Sequence, residues 1–174
     1  MIRYADDFIV LCQKPEEAQN ALNVVQAWAD GAGLTLHPEK TRIVDLWDEG
    51  FDFLGYHFWK HTRWPRKKSL NKLKDTIRQK TRRTNGHSLQ HIIASINPIL
   101  RGWFAYFKHS NARTFRSIDQ WLRMRLRSIL RKRSNRSGRG RGRDHNRWTN
   151  AFFTEQGLFS STAAFVSAHQ SATR

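Results

Sequence analysis

The chain has 174 residues, with 31 Lys plus Arg against 14 Asp plus Glu and a formal charge of +17, a balance that points to a polyanionic partner. Its 39% hydrophobic content, with 7 Trp, 3 Tyr and 11 Phe, suffices for a packed core and excludes a wholly disordered polycation. Cys12 is the only cysteine, which excludes an internal disulfide framework and a cysteine-based zinc site; without a run of about 18 apolar residues or a signal-like N-terminus, a soluble, cytoplasmic protein with no membrane partner is expected.

Residues 1–50 carry four basic and nine acidic residues, a local charge of −5. Residues 2–11 read as two short β-prone runs separated by Asp6 and Asp7 and predict a hairpin with the acids at or beside its turn. Pro15, Glu16 and Glu17 then open a helix, in which Ala18, Ala21, Leu22, Val25, Trp28, Ala29 and Ala32 recur at i, i+3 and i+4 spacing and which Gly31 and Gly33 end. Residues 34–36, 41–44 and 51–59 read as strands, separated by turn signals at His37-Pro38 and at 48–50. The front of the chain is therefore an α+β piece.

Residues 51–174 carry 27 basic and five acidic residues, a local charge of +22, and from Lys67 the period becomes helical. Leu70, Leu73 and Ile77 mark a basic amphipathic helix. Leu89, Ile92, Ile93 and Ile96 mark a second, which Asn97-Pro98 is expected to close before a short aromatic stretch at 99–107. Phe115, Ile118, Leu122, Leu126 and Ile129 mark a longer helix whose polar face carries Arg116, Arg123, Arg127 and Arg131. Like charges at i, i+4 repel, so such a stripe, read as having no acidic partners, calls for an anion along it. Arg139, Arg141 and Arg143 lie in a Gly-interrupted stretch, 134–147, expected to be a flexible basic linker that orders on nucleic acid. Beyond it, Trp148, Phe152, Phe153, Leu158 and Phe159 restore a packable pattern, with Thr149-Asn150 and Gln156-Gly157 as cap or turn signals.

Adjacent acids at a turn are common for local reasons alone. The chemistry that would need them is two-metal phosphoryl transfer, in which carboxylates hold Mg²⁺ ions. Tyr4-Ala5-Asp6-Asp7 resembles the Tyr-x-Asp-Asp box of reverse transcriptases, in the form typical of group II intron reverse transcriptase/maturases. Residues 33–41 resemble the following palm motif of that family, and residues 51–58 its primer-grip hairpin. Residues 99–107 and the arginine-rich helix resemble its thumb, or maturase-specific X domain. Residues 148–160 resemble its C-terminal end.

That resemblance implies a partial palm over 1–62, a helical thumb/X domain over 63–133, the linker at 134–147 and a C-terminal segment over 148–174. It also implies an RNA-directed DNA polymerase with maturase function, Mg²⁺-dependent and without zinc, in a bacterial cytoplasm or an organelle. Asp6 and Asp7 would be its metal ligands and Tyr4 would line the site. Lys40 would assist the pyrophosphate leaving group, with a surface lysine paired to Glu39 or Asp45 as the alternative. Phe53, Leu54 and Gly55 would position the primer. Trp103, Tyr106 and Phe107 could stack on bases, or simply be core.

The family's fingers and a further metal-binding aspartate are not expected in this chain, so it reads as incomplete as a polymerase on its own. The partners implied are group II intron RNA, an RNA/DNA primer-template and an N-terminal half of the same enzyme. The alternatives are a non-catalytic RNA-binding maturase module and a nonspecific basic nucleic-acid binder.

Overall fold

The computed structural model describes residues 1–138, 140 and 142–170. Helices and two small sheets make it an α+β structure, as the sequence periodicities predict. Two units are distinguished: residues 1–53 with 58–60, and residues 54–57 with 61 onward.

In the first unit, β1 (Ile2–Tyr4) and β2 (Asp7–Ile9) form an antiparallel hairpin in the register Ile2↔Ile9, Arg3↔Phe8, Tyr4↔Asp7. Ala5 and Asp6 make the two-residue connection, which requires Ala5 at φ +52°. Helix α1 (Pro15–Gly31) begins with Pro in its first turn, where no N–H is needed, and with Glu16 and Glu17 against the positive end of its dipole. Its chain end folds over with Leu34 N–H donating to Ala29 O at 2.8 Å and Gly33 at φ +69°. Ala29 is buried, whereas Val24 and Trp28 are 69% and 64% exposed.

The strands expected at 34–36 and 41–44 are not formed. A turn occupies the intervening residues, with Thr41 N–H donating to His37 O at 2.9 Å. Strand-prone residues become a strand only when a neighbouring ladder pairs their backbone, and the described residues supply no such partner here.

A three-stranded sheet of order β3-β4-β5 follows, from Phe51–Phe53, Tyr56–Trp59 and Thr62–Pro65. The two-residue turn between β3 and β4 holds both Leu54 (φ +47°) and Gly55 (φ +81°) in the left-handed region, a geometry that matches strand twist but strains leucine.

The core of the second unit is helical. Helix α2 (Lys67–Lys80) contributes Leu73 and Ile77, α3 (Leu89–Phe107) contributes Ile92, Ile93, Ile96 and Leu100, and α4 (Ala112–Arg133) contributes Ile118, Leu122, Leu126 and Ile129. Each such side chain stabilises by roughly 1.5–3 kcal/mol on burial. Contrary to the expected break at Asn97-Pro98, α3 runs through Pro98. Proline inside a helix costs about 3 kcal/mol. Ile96 before it and Leu100 after it are both buried, so interrupting the helix would forfeit more than the proline costs.

Helices α5 (Asp144–Arg147), α6 (Asn150–Glu155) and α7 (Ser161–Gln170) complete the unit. Trp148, Phe153 and Leu158 join the same core as α2–α4. Side chains of α3 fix the turn between α6 and α7: Asn97 donates to Gly157 O at 2.8 Å and accepts from Phe159 N–H at 2.9 Å.

The stretch expected to be a flexible linker is tied down at two described positions. Gly140 is buried against α4, and a Cβ there would lie 2.6 Å from Arg127 Cβ. Asp144 is 1% exposed. Glycines in that stretch therefore permit a close approach of backbone to helix, as well as supplying freedom.

Gly140→Ala should consequently lower stability by about 1–3 kcal/mol, as overpacking against a fixed backbone does. Gly102→Ala, at an exposed site in α3 with nothing within 4 Å, should be neutral or stabilising by up to about 1 kcal/mol. Denaturant midpoints of the two variants at constant m-value measure both.

Candidate nucleic-acid interface

Asp6 lies in the β1–β2 turn and Asp7 opens β2 directly across from Tyr4. All three side chains are exposed, Tyr4 to 65%. The turn is braced by Arg3, whose Nε–H donates to Ala5 O at 2.7 Å. Hard carboxylate oxygens on an exposed turn suit Mg²⁺, which takes one or two carboxylates and completes its shell with water and phosphate. No group of three or more metal-ligating side chains forms among the described residues, so these two acids fit part of a coordination set. Lys40 lies on the separate turn at 37–41, where it is exposed and ion-paired with neither Glu39 nor Asp45. The ion pair in that region is Arg42 Nη1 to Glu49 Oε1 at 2.9 Å.

Phe53 ends β3. The Leu54–Gly55 turn is held by backbone carbonyls that accept from α2 and α3. Tyr106 OH donates to Leu54 O at 2.8 Å, and Tyr56 OH donates to Tyr106 O at 2.6 Å, so the two phenols cross. Gly55 O accepts from Arg66 N–H at 2.9 Å and from Ser69 Oγ at 3.2 Å. At φ +81° and with Ser69 Oγ 3.3 Å from where its Cβ would be, position 55 suits glycine alone. Of the aromatics that could have stacked on bases, Phe107 is buried and Trp103 packs on it at 4.7 Å. Tyr106 is 55% exposed, but its hydroxyl already has a partner. Burial raises the Tyr56 phenol above its usual value, with Arg63 opposing the shift.

The arginine stripe differs from the one expected. Arg127 is 3% exposed and donates from Nε to Trp148 O at 2.8 Å and from Nη2 to Asn150 Oδ1 at 3.0 Å. Burial lowers its basicity, and Arg123 beside it acts in the same direction. Arg131 bridges Asp144 at 2.7 Å and donates to Ser137 O at 2.6 Å. Arg123 sits 4.0 Å from the buried Asp119. The stripe thus has acidic partners, one on its own helix and one from the following segment. Asp119, one turn before Arg123, is the sequence signal that marks it. Arg116 and Arg143 remain exposed, while Arg139 and Arg141 lie outside the described residues.

What does face outward is a broader excess of cations. Residues 61–174 contain 26 Lys plus Arg and four Asp plus Glu, Asp75, Asp119, Asp144 and Glu155. Two of those four are buried, Asp119 at 3% and Asp144 at 1% exposure. Helix α2 alone presents Lys67, Lys68, Lys72, Arg78 and Lys80 to solvent with Asp75 as its one acid, and Arg82 and Arg83 follow it. A surface so unbalanced is the electrostatic footprint of a polyanion-binding unit.

Two family models match the chain. Residues 1–58 match "Reverse transcriptase (RNA-dependent DNA polymerase)" and residues 70–148 match "Group II intron, maturase-specific domain". A hairpin bearing the Tyr-Ala-Asp-Asp box and a helical cationic unit thus define the class: a reverse-transcriptase palm joined to a maturase-specific domain. The chain belongs to the group II intron reverse transcriptase/maturase family, whose two domains bind intron RNA and nucleic acid. No individual curated protein matches it.

The raised Tyr56 pKa carries a pH dependence with a definite sign. The phenol ionises first in the unfolded chain, so its contribution to stability is complete below the ordinary tyrosine value of about 10 and is lost as pH rises through the higher folded value. Stability should fall more steeply above about pH 10 in the wild type than in Tyr56→Phe, which itself should lose about 1 kcal/mol near neutrality with its hydrogen bond. Denaturant titrations on either side of that pH compare the two slopes.

Proposed function

We propose that the second unit grips the backbone of structured intron RNA and of an RNA/DNA primer-template, while the first unit lends Asp6 and Asp7 to a polymerase metal site completed by a separate segment of the same enzyme. One observation carries the reading: 26 basic residues against four acidic ones over 61–174, with two of the four acids buried. Cations in such excess gain most from a partner carrying regularly spaced phosphates.

Asp6 and Asp7 would hold Mg²⁺, which when bound would neutralise charge on the transferring phosphate. Tyr4, across the hairpin from Asp7, would line the primer end, and Lys40 would face the departing pyrophosphate. The Leu54–Gly55 turn, fixed by Tyr106, Ser69 and Arg66, would hold the primer strand at a set height. An N-terminal part of the palm would cover apolar surface of the first unit, where Leu11, Val24, Trp28 and Leu34 are all more than half exposed.

A second reading is RNA binding and splicing support without polymerisation. The concentration of uncompensated charge beyond residue 60 favours it, because that grip needs no contribution from the acids.

With about six to ten phosphate contacts, affinity for intron RNA should fall by roughly 10³–10⁵ between about 50 and 200 mM salt on the duplex scale, and somewhat less on folded RNA. Intron RNA should outcompete random RNA of equal length at physiological salt; equal affinity would reduce the unit to a nonspecific binder. Supplied with an N-terminal palm and fingers, the chain should extend a primer, and Asp6→Ala or Asp7→Ala should cut the rate at least about 10²-fold while leaving RNA affinity unchanged. Undiminished extension in both variants would remove the acids from the site. Splicing support that survives both would favour the second reading.

A further inference from the structure

Between the C-terminal end of α2 and the middle of α4 lies an open notch of about 120 Å³, lined by Thr81, Arg83, Met124, Arg125 and Ser128. It is several times the roughly 10–15 Å³ that one water needs.

Two features of the notch serve no purpose in the fold. Ser128 is buried at 8% exposure, yet its hydroxyl has no hydrogen-bond partner among the described residues. A serine within a helix ordinarily satisfies itself on a carbonyl one turn back, and a buried hydroxyl that does not is costly. The second feature is a concentration of cations. Arg125 is half-buried, and it crosses to Thr81 with Nε 2.8 Å from Oγ1 and Nη2 3.0 Å from the carbonyl oxygen. That pair of bonds caps α2 and fixes the guanidinium plane, leaving Nη1 without a hydrogen bond among the described residues. Arg83 adds a second guanidinium and is ion-paired with no described residue. Burial depresses the basicity of Arg125, and Arg78 and Arg83 depress it further.

The crowding extends past the notch. Lys74, Arg78 and Arg125 gather around the Trp121 ring at 5.9, 5.8 and 5.4 Å from its centroid, with Asp75, 2.6 Å from Arg78, as the carboxylate that answers them. Capping α2 would require one arginine. It would not require a second arginine beside it, nor an unsatisfied hydroxyl beneath.

We propose that this notch seats one phosphodiester group of the bound RNA, with Arg125 and Arg83 as charged donors and Ser128 Oγ donating to a phosphate oxygen. A guanidinium held in plane and a buried hydroxyl are both pre-organised, so little side-chain freedom is lost when the anion arrives. Because the notch is open and continuous with the cations of α2, it suits a phosphate within a polymer better than a free ion. The proposal rests on the RNA-gripping reading above and names one contact within it.

The test uses the full chain and two variants that spare the Arg125 cap, Arg83→Gln and Ser128→Ala. In one arm, inorganic phosphate is titrated against chloride at matched ionic strength while NMR follows the Arg125 Nε–H and Ser128 amide signals. Both signals should shift saturably in the wild type, and in each variant the Arg125 Nε–H and residue 128 amide shifts should need about tenfold more phosphate to reach their midpoint. In the other arm, intron RNA affinity should fall about tenfold in Ser128→Ala, the fold-change of a hydrogen bond to a charged group. In Arg83→Gln the salt slope should drop by about one. Ser128→Ala should at the same time be no less stable than the wild type, which separates lost binding from lost folding.

Wild-type signals that ignore phosphate would overturn the site. Saturable shifts alongside unchanged RNA affinity and slope in both variants would make it a free-phosphate site and overturn the RNA assignment. Failure of the wild type to bind intron RNA at all would instead sink the RNA-gripping reading, a result the phosphate arm tells apart because it contains no RNA.

Discussion

Two buried carboxylates hold the second unit together. Asp119 accepts from Ser160 Oγ at 2.8 Å and from the N–H groups of Ser161 and Thr162 at 3.1 and 3.0 Å, so it caps α7 from α4. Asp144 meets Arg131 at 2.7 Å, and Arg127 beside it reaches Trp148 O and Asn150 Oδ1. Described residues of the segments around 144–150 and 160–162 are thereby fastened to α4 by charge-assisted bonds, while Asn97 of α3 holds the turn between α6 and α7. Such groups cost free energy to desolvate, and they repay it only when every partner is present. With four acids among residues 61–174, using two inside leaves the exterior almost uniformly cationic. The interior fastening and the exterior field are thus two consequences of one shortage.

That shortage also sets how the unit meets its partner. Cations that repel one another raise the free energy of the unbound protein, and phosphates that neutralise them recover it. Affinity gained this way carries little sequence information, so specificity has to come from the shape of the rigid helical surface on which the cations stand. The apolar core shared by α2, α3 and α4 supplies that rigidity.

The apolar periodicities were legible in the sequence because helices bury one face at a fixed spacing: Leu73, Ile77, Ile92, Ile96, Leu122 and Ile129 are all core. The family was legible from short motifs that keep their order. What was not legible depended on partners distant in sequence. Pro98 reads as a breaker because its cost is local, whereas the burial of Ile96 and Leu100 that outweighs it is tertiary. Residues 34–36 and 41–44 have strand composition but no ladder to join. Arg127 has the spacing of a surface stripe, and only the return of residues 148–150 onto α4 shows it to be internal. The Tyr56–Tyr106 crossing joins residues 50 apart, a relation no local pattern carries.

The contrast between the two units bears on how catalysis could be organised. In the second, a continuous core and buried polar ties fix side chains in place. In the first, the acids stand on a two-stranded hairpin whose Ile2 and Tyr4 are 52% and 65% exposed. An isolated hairpin is marginally stable in water. Phosphoryl transfer, however, depends on groups held within about half an ångström of their working positions. Among the described residues the hairpin holds its acids on two short strands only, a lighter support than the helical core gives the side chains of the second unit. RNA gripping meets no such requirement, because it draws on many distributed contacts that each tolerate small displacements. Distributed contacts of that kind match the cationic helical unit, whereas the two exposed carboxylates of the hairpin make only part of a coordination set among the described residues.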